Sequence, residues 1–283
     1  MPIKIYKPTS AGRRNSSVQL FTDVTAKTPH KKLVVAQKQQ AGRGAGGKIT
    51  VRHRGGGVRR NIRVIDWKME KLSIPGKVHT IEYDPNRGAR IALIAYADGE
   101  KRYVLAADGL KVGSTIISSA ERGEPNAGSR FPLEKIPVGM TVFNVELQPG
   151  QGAKLIRGAG TSALLLAVEG EYATLKLSSG EVRMFPKACM ATIGKVSNPD
   201  WNQVRWGKAG RMRLKSIRPT VRGKAMNPVD HPHGGGEARN SIGLKYAKTP
   251  QGKHAHGVKT RKAKKPSNKF IVRRRNHDKG RAA

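Results

Sequence analysis

The chain has 283 residues, 55 Lys and Arg against 19 Asp and Glu, a formal net charge of +36, and one cysteine. A single cysteine excludes an intramolecular disulfide framework and the multi-cysteine zinc fingers and ribbons, and it fits a reducing compartment. Apolar runs such as residues 163–168 are far short of the ~20 residues a membrane-spanning helix needs.

The charge is unevenly placed. Residues 1–60 hold 14 Lys and Arg against one acid, and residues 199–283 hold 23 against four, whereas residues 61–198 hold 18 against 14. A nearly balanced centre therefore lies between two basic ends that repel themselves. Such ends are expected to order only against a dense polyanion, and nucleic acid is the polyanion of that charge density.

In chain order, residues 1–60 read as a basic, glycine-rich extension. The tract at 42–48 and the run Arg52, His53, Arg54, Gly55, Gly56, Gly57, Val58, Arg59, Arg60 cannot pack a core. Glycine lets a phosphate approach the backbone and arginine supplies the counter-charge, so Arg52, Arg54, Arg59 and Arg60 are candidate nucleic-acid contacts. Gly42, Gly47 and Lys48 nearly spell a nucleotide-binding loop. However, Ile49 stands where Ser or Thr should hold magnesium, and the following residues cannot start the required helix. From residue 61 the pattern changes to alternating segments at 61–66, 78–83, 90–96, 101–105 and 115–117, separated by turns at 84–88 and 98–99. Five short strands without an intervening amphipathic helix predict a small closed barrel over 61–125, with an OB-like fold as the leading form.

A turn-rich joint precedes a second β set over 126–198. Its clearest element is a hairpin, 172–177 and 181–184 about a Ser-Ser-Gly turn, with Ala173, Leu175 and Leu177 expected inward opposite Val182 and Met184. An SH3-like barrel matches its size. Residues 199–283 return to Gly, Pro and basic residues and read as a second extension. Its candidate RNA contacts are Arg222, His231, His233, Arg239, Arg273, Arg274 and Arg275. Asp230, His231, His233 and Glu237 could suggest a metal site, but no third strong ligand stands at a familiar spacing, and imidazole is also a good donor to phosphate. The segment at 1–15 shows no apolar stretch of the kind a secretory signal needs, so none is expected.

The block 225–239 (AMNPVDHPHGGGEAR), preceded by GKAGRMRLKSIRPTVRG, is similar to the signature of the L-two family of large-subunit ribosomal proteins, in its bacterial layout. Further matching blocks are IKIYKPTSAGRRN, GKITVRHRGGGVRR, IEYDPNRGARIALIAYADGEKRYVLA, LIRGAGTSALLL, SGEVRM and NKFIVRRR. The resemblance runs in order over nearly the whole chain. It implies an OB-like barrel followed by an SH3-like barrel, with both extensions threaded through large-subunit ribosomal RNA near the peptidyl-transferase centre. It further implies support of assembly, subunit joining and tRNA placement. The family's RNA contacts fall on Arg87 and Arg157, and its histidine nearest the catalytic centre falls on His231. Implied partners are ribosomal RNA, other ribosomal proteins, the small subunit and nearby tRNA, in the cytoplasm, with no membrane and no homo-oligomer. No cofactor of its own is expected, with magnesium arriving only as an ion of the RNA, and no catalysis. An architectural DNA-binding protein would share the charge but does not need two barrels.

Overall fold

The computed structural model describes residues 3–121, 123–237, 239 and 241–275. Two compact units account for them. One comprises the described residues of Met1–Lys38, Arg59–Lys208 and Ser267–Ala283, the other Gln39–Val58 and Ala209–Pro266.

In the first unit, β1 (Ile3–Ile5) pairs antiparallel with β2 (Ser17–Gln19), and β3 (Val34–Ala36) with β4 (Asn61–Arg63). Alternation then becomes sheet: β5 (Gly76–Glu82), β6 (Ile91–Tyr96), β7 (Lys101–Leu105) and β8 (Thr115–Ile116) lie in the order β7-β6-β5-β8. A bulge in β5 between Val78 and Thr80 helps curl the sheet. Val78, Ile81, Ala92, Ile94, Val104 and Ile116 fill one face of it. Ile91, Leu93, Tyr103 and Leu105 fill the other.

The second sheet joins β9 (Arg130–Pro132), β10 (Thr141–Phe143), β11 (Ala163–Glu169), β12 (Tyr172–Lys176), β13 (Val182–Pro186), β14 (Met190–Ile193) and β15 (Ile271–Arg273). Their order is β15-β13-β12-β11-β10-β14-β9. Its core gathers Phe131, Val142, Leu165, Leu175, Phe185 and Ile193. The fold is mainly β, an OB-like barrel followed by an SH3-like barrel. Phe143 reaches into the core of the first sheet, and Ala107 bridges Val196, so the barrels share packing.

Several sequence expectations change here. Residues 61–66 do not form one barrel strand: Asn61–Arg63 pairs with β3, and only Ile65 bridges the barrel at Tyr103. In the second hairpin Ala173, Leu175 and Val182 are buried as expected, but Leu177 and Met184 are only half-buried and Phe185 takes the interior place. The register between β13 and β15 shifts at Val182–Arg183, which breaks strict alternation along the strand.

The extensions are not coreless throughout. Ser16, Ser17 and Gln19 are buried. Ser17 exchanges hydrogen bonds with Arg205, and Gln19 bonds the Asn198 side chain. The His30 amide donates to the Tyr103 hydroxyl, which donates to the buried Glu82 carboxylate. Polar groups do much of this anchoring, with Leu33 packing on the first barrel's core and Phe21 on Tyr83, so hydropathy carries little sign of it.

In the second unit, residues 42–51 form a small hairpin. Gly44 N–H donates to the Lys48 carbonyl and Thr50 N–H to that of Gly42. The near-miss nucleotide loop is therefore a hairpin bend and not a strand-to-helix turn. Arg54 bridges Ile217, and Arg218 N–H donates to the His53 carbonyl. A short helix at Ala209–Leu214 and a 3₁₀ turn at Gly223–Ala225 punctuate the rest. Among the described residues no helix is long and apolar enough to cross a membrane.

Candidate nucleic-acid interface

Arg87 and Arg157 belong to different barrels, one in the turn after β5 and the other in the loop before β11, yet both lie on one indole. The Arg87 guanidinium sits 5.3 Å from the Trp67 ring centroid and that of Arg157 sits 4.4 Å from it. Each cation–π contact of this kind is worth roughly 0.5–1 kcal/mol where solvent reaches it. It also limits the rotamers of a long side chain, so that less freedom is lost when RNA arrives.

The Arg87 turn is built from its own residues. Asp84 is fully buried; its carboxylate accepts from Asn86 N–H at 2.9 Å and from Arg87 Nε at 2.6 Å. With Nε committed inward, outward hydrogen bonds from Arg87 come from its η nitrogens. Asn86 reaches the Asn61 carbonyl and Arg60 that of Pro85, which ties the residues after the extension to the same turn. Asn198, fully buried, donates to the Gly88 carbonyl at 2.6 Å from behind.

Arg157 is exposed and donates to the Ala153 carbonyl. Ile156 before it has φ of +56°, an outlier for a β-branched residue, and its carbonyl accepts from Asn144, itself at φ +50°. Strain of this kind persists only where the surroundings over-determine it, and here it sets the direction in which Arg157 leaves the barrel. Ala153 N–H donates to the Trp67 carbonyl at 2.8 Å, so the loop that carries Arg157 also holds Trp67.

Within the second unit, His231 is 7% exposed. Its Nδ1 accepts from His233 N–H at 3.0 Å, which leaves Nε2 as the ring's donor. The two rings lie 4.7 Å apart, and His233 Nε2 accepts from Lys248 N–H at 2.9 Å. The two histidines thus relay backbone hydrogen bonds. Among the described residues no three His, Cys, Asp or Glu side chains gather at one point. Burial of Cys189 pushes its thiol up to about 12, so it stays protonated at neutral pH and is neither nucleophile nor metal ligand there.

Burial first, then His231 and Lys248, hold the His233 imidazole below its ordinary 6.5. As pH falls the unfolded chain takes up the proton before the folded one does. The relay should therefore be complete above about 6.5 and be lost as pH falls from there through the lowered value. Hydrogen exchange at the Lys248 amide, corrected for intrinsic rate, should accelerate over that range; constant protection would mean that His233 is not the acceptor.

The remaining candidates are spread out. Arg52, Arg54, Arg222 and Arg239 are exposed in the second unit, Arg222 directly before the 3₁₀ turn that packs on His231. Arg59 is exposed in the first unit, where the chain re-enters it. Arg273 lies on β15 opposite Val182, with Arg274 and Arg275 exposed beyond it. Sequence reasoning missed Trp67. Its signal was an aromatic residue between Arg63 and Lys68, just past the alternating segment at 61–66.

Residues 30–118 match the family model described as Ribosomal Proteins L2, RNA binding N-terminal domain, which takes in Trp67 and Arg87. Residues 126–252 match that described as Ribosomal Proteins L2, C-terminal domain, which takes in Arg157, His231 and His233. Together they cover most of the chain, in the order of the two barrels. The chain belongs to the ribosomal protein L2 family.

Proposed function

We propose that this protein binds large-subunit ribosomal RNA near the peptidyl-transferase centre as a structural component, supporting assembly, subunit association and tRNA placement, without catalysis of its own. The observation that carries the reading is the convergence of Arg87 and Arg157, from two barrels, on Trp67. A planar guanidinium can pair with phosphate in bidentate fashion or stack on a base, and two of them held at one indole make a rigid contact between barrels and RNA. The strongly basic extensions supply counter-charge around it. His231 is read as a structural contact to RNA through Nε2. Other ribosomal proteins and the small subunit are partners in the same reading, any magnesium comes with the RNA, and the protein works in the cytoplasm.

Co-sedimentation of the full chain with large subunits tests the assignment, and binding to duplex DNA of equal length separates it from an architectural DNA role. Replacing Arg87 and Arg157 together with Ala should weaken binding to large-subunit RNA at raised salt, where non-specific charge contributes least. Each charge-assisted contact is worth about 1.5–3 kcal/mol. Filter binding gives the affinity and far-ultraviolet circular dichroism checks the fold. Unchanged affinity with an intact fold would show that recognition lies elsewhere.

A further inference from the structure

The tail past His233 reads from sequence as featureless, yet residues 246–256 form a hairpin within the second unit. Lys248 pairs with His254, Ala255 N–H donates to the Ala247 carbonyl at 2.9 Å, and Thr249 N–H to that of Lys253 at 2.7 Å. Gly252 closes the tip in the left-handed region at φ +78°. In this register Tyr246 and His254 are diagonal neighbours on one face. Their rings stack face to face, with centroids 3.4 Å apart and planes 16° apart.

The pair lies outside every buried apolar cluster, and Tyr246 is 42% exposed. Each ring covers one face of the other, and among the described residues no further ring stacks on the pair. The hairpin is also held in place: Lys248 N–H, beside the stack, is the donor to His233. Residues 241–266 carry eight Lys and Arg and no Asp or Glu. An exposed flat π surface amid uncompensated positive charge fits a ligand that is itself flat and carries phosphates.

We propose that the Tyr246–His254 pair is a stacking platform for an unpaired nucleobase of RNA, with Lys248, which shares that face by the register, available to a flanking phosphate. The bases of a duplex have both faces covered by neighbours, so the platform selects a single-stranded or extruded nucleotide. This rests on the RNA-binding reading above and adds to it the kind of nucleotide bound.

The test uses the full chain, a short single-stranded oligoadenylate, and an abasic oligomer of equal length, at raised salt so that phosphate contacts do not mask stacking. Tyr246→Leu should lower affinity for oligoadenylate by roughly five- to 150-fold and leave binding of the abasic oligomer unchanged. Tyr246→Phe, which keeps the ring, should bind as the unsubstituted protein does. Equal losses on both oligomers, no loss, or a Phe variant as weak as the Leu variant would overturn the platform. If the unsubstituted protein binds both oligomers equally well, RNA binding stands and the platform falls. If it binds neither, the platform falls, while co-sedimentation with large subunits decides the RNA-binding reading separately.

Discussion

Glu146→Ala should destabilise the barrel unit by about 3–5 kcal/mol, the usual cost of leaving a buried charge without its partner. Arg130 and Glu146 are 0% and 2% exposed and are joined at 3.0 Å. Burial already pulls the Arg130 guanidinium below its ordinary pKa, against the opposing pull of Glu146. The carboxylate does more than neutralise it, accepting also from Gly152 N–H at 3.0 Å and from Gly150 and Met190 N–H at 3.1 Å. Arg130→Met should cost less, because the carboxylate keeps its three backbone donors. The double change Arg130→Met with Glu146→Leu should not recover stability, although buried ion pairs can often be replaced by apolar residues. Here the replacement leaves three amides unsatisfied. Urea unfolding followed by circular dichroism checks each variant; a loss below about 1 kcal/mol for Glu146→Ala would mean that water reaches those amides.

The same carboxylate holds the segment at 150–152, and the next residue, Ala153, bonds both Trp67 and Arg157. A site on the surface is thus positioned by a charge in the core. Nothing in the sequence marks Glu146: its neighbours are ordinary, and its donors are scattered backbone amides with no side-chain signature.

The legible parts were those with local causes. Alternation at 78–83, 90–96, 101–105 and 172–177 reflects strands with one or both faces in a core, and β5, β6, β7 and β12 fall within a residue or two of it. Asp84 and Asn86 mark the Arg87 turn because an Asx side chain bonds the backbone two residues on. The missed parts have distant causes. β9 and β15 show little pattern of their own, β11 shows an apolar run without alternation, and β15 exists only through pairing with β13, 91 residues earlier in the chain by its register of Val182 with Arg273. The helix at Ala209–Leu214 and the tail hairpin lie in glycine-rich basic sequence whose charge hides a short-range order. Charge also explains why Arg87 and Arg157 were legible only through the resemblance: in a chain with 55 cations, composition alone cannot rank two of them.

The largest effect in the second unit should come from Gly223→Val. A Cβ at Gly223 would overlap the His231 ring at Nδ1, Cγ and Cε1, and the two methyl groups of Val add to the conflict. The ring must then leave its place, which breaks its bond to His233 N–H and with it the link to Lys248. Overpacking of this kind costs about 1–3 kcal/mol, so incorporation into large subunits should fall by roughly five- to 150-fold under competition with the unsubstituted protein. His231→Gln separates that structural role from a chemical one. Gln keeps an acceptor for His233 N–H and a donor to replace Nε2, but it cannot take up a proton as a general base does. A lost general base costs about 10²–10⁴ in rate. Subunits of verified composition carrying His231→Gln should instead form peptide bonds within about tenfold of the unsubstituted rate, below that range. Gly223→Val particles that do assemble should react normally too, because their defect lies in reaching the RNA. Single-turnover peptidyl transfer decides between the roles. A hundredfold chemical defect in assembled His231→Gln particles would make His231 a participant in the reaction and end its reading as a structural contact.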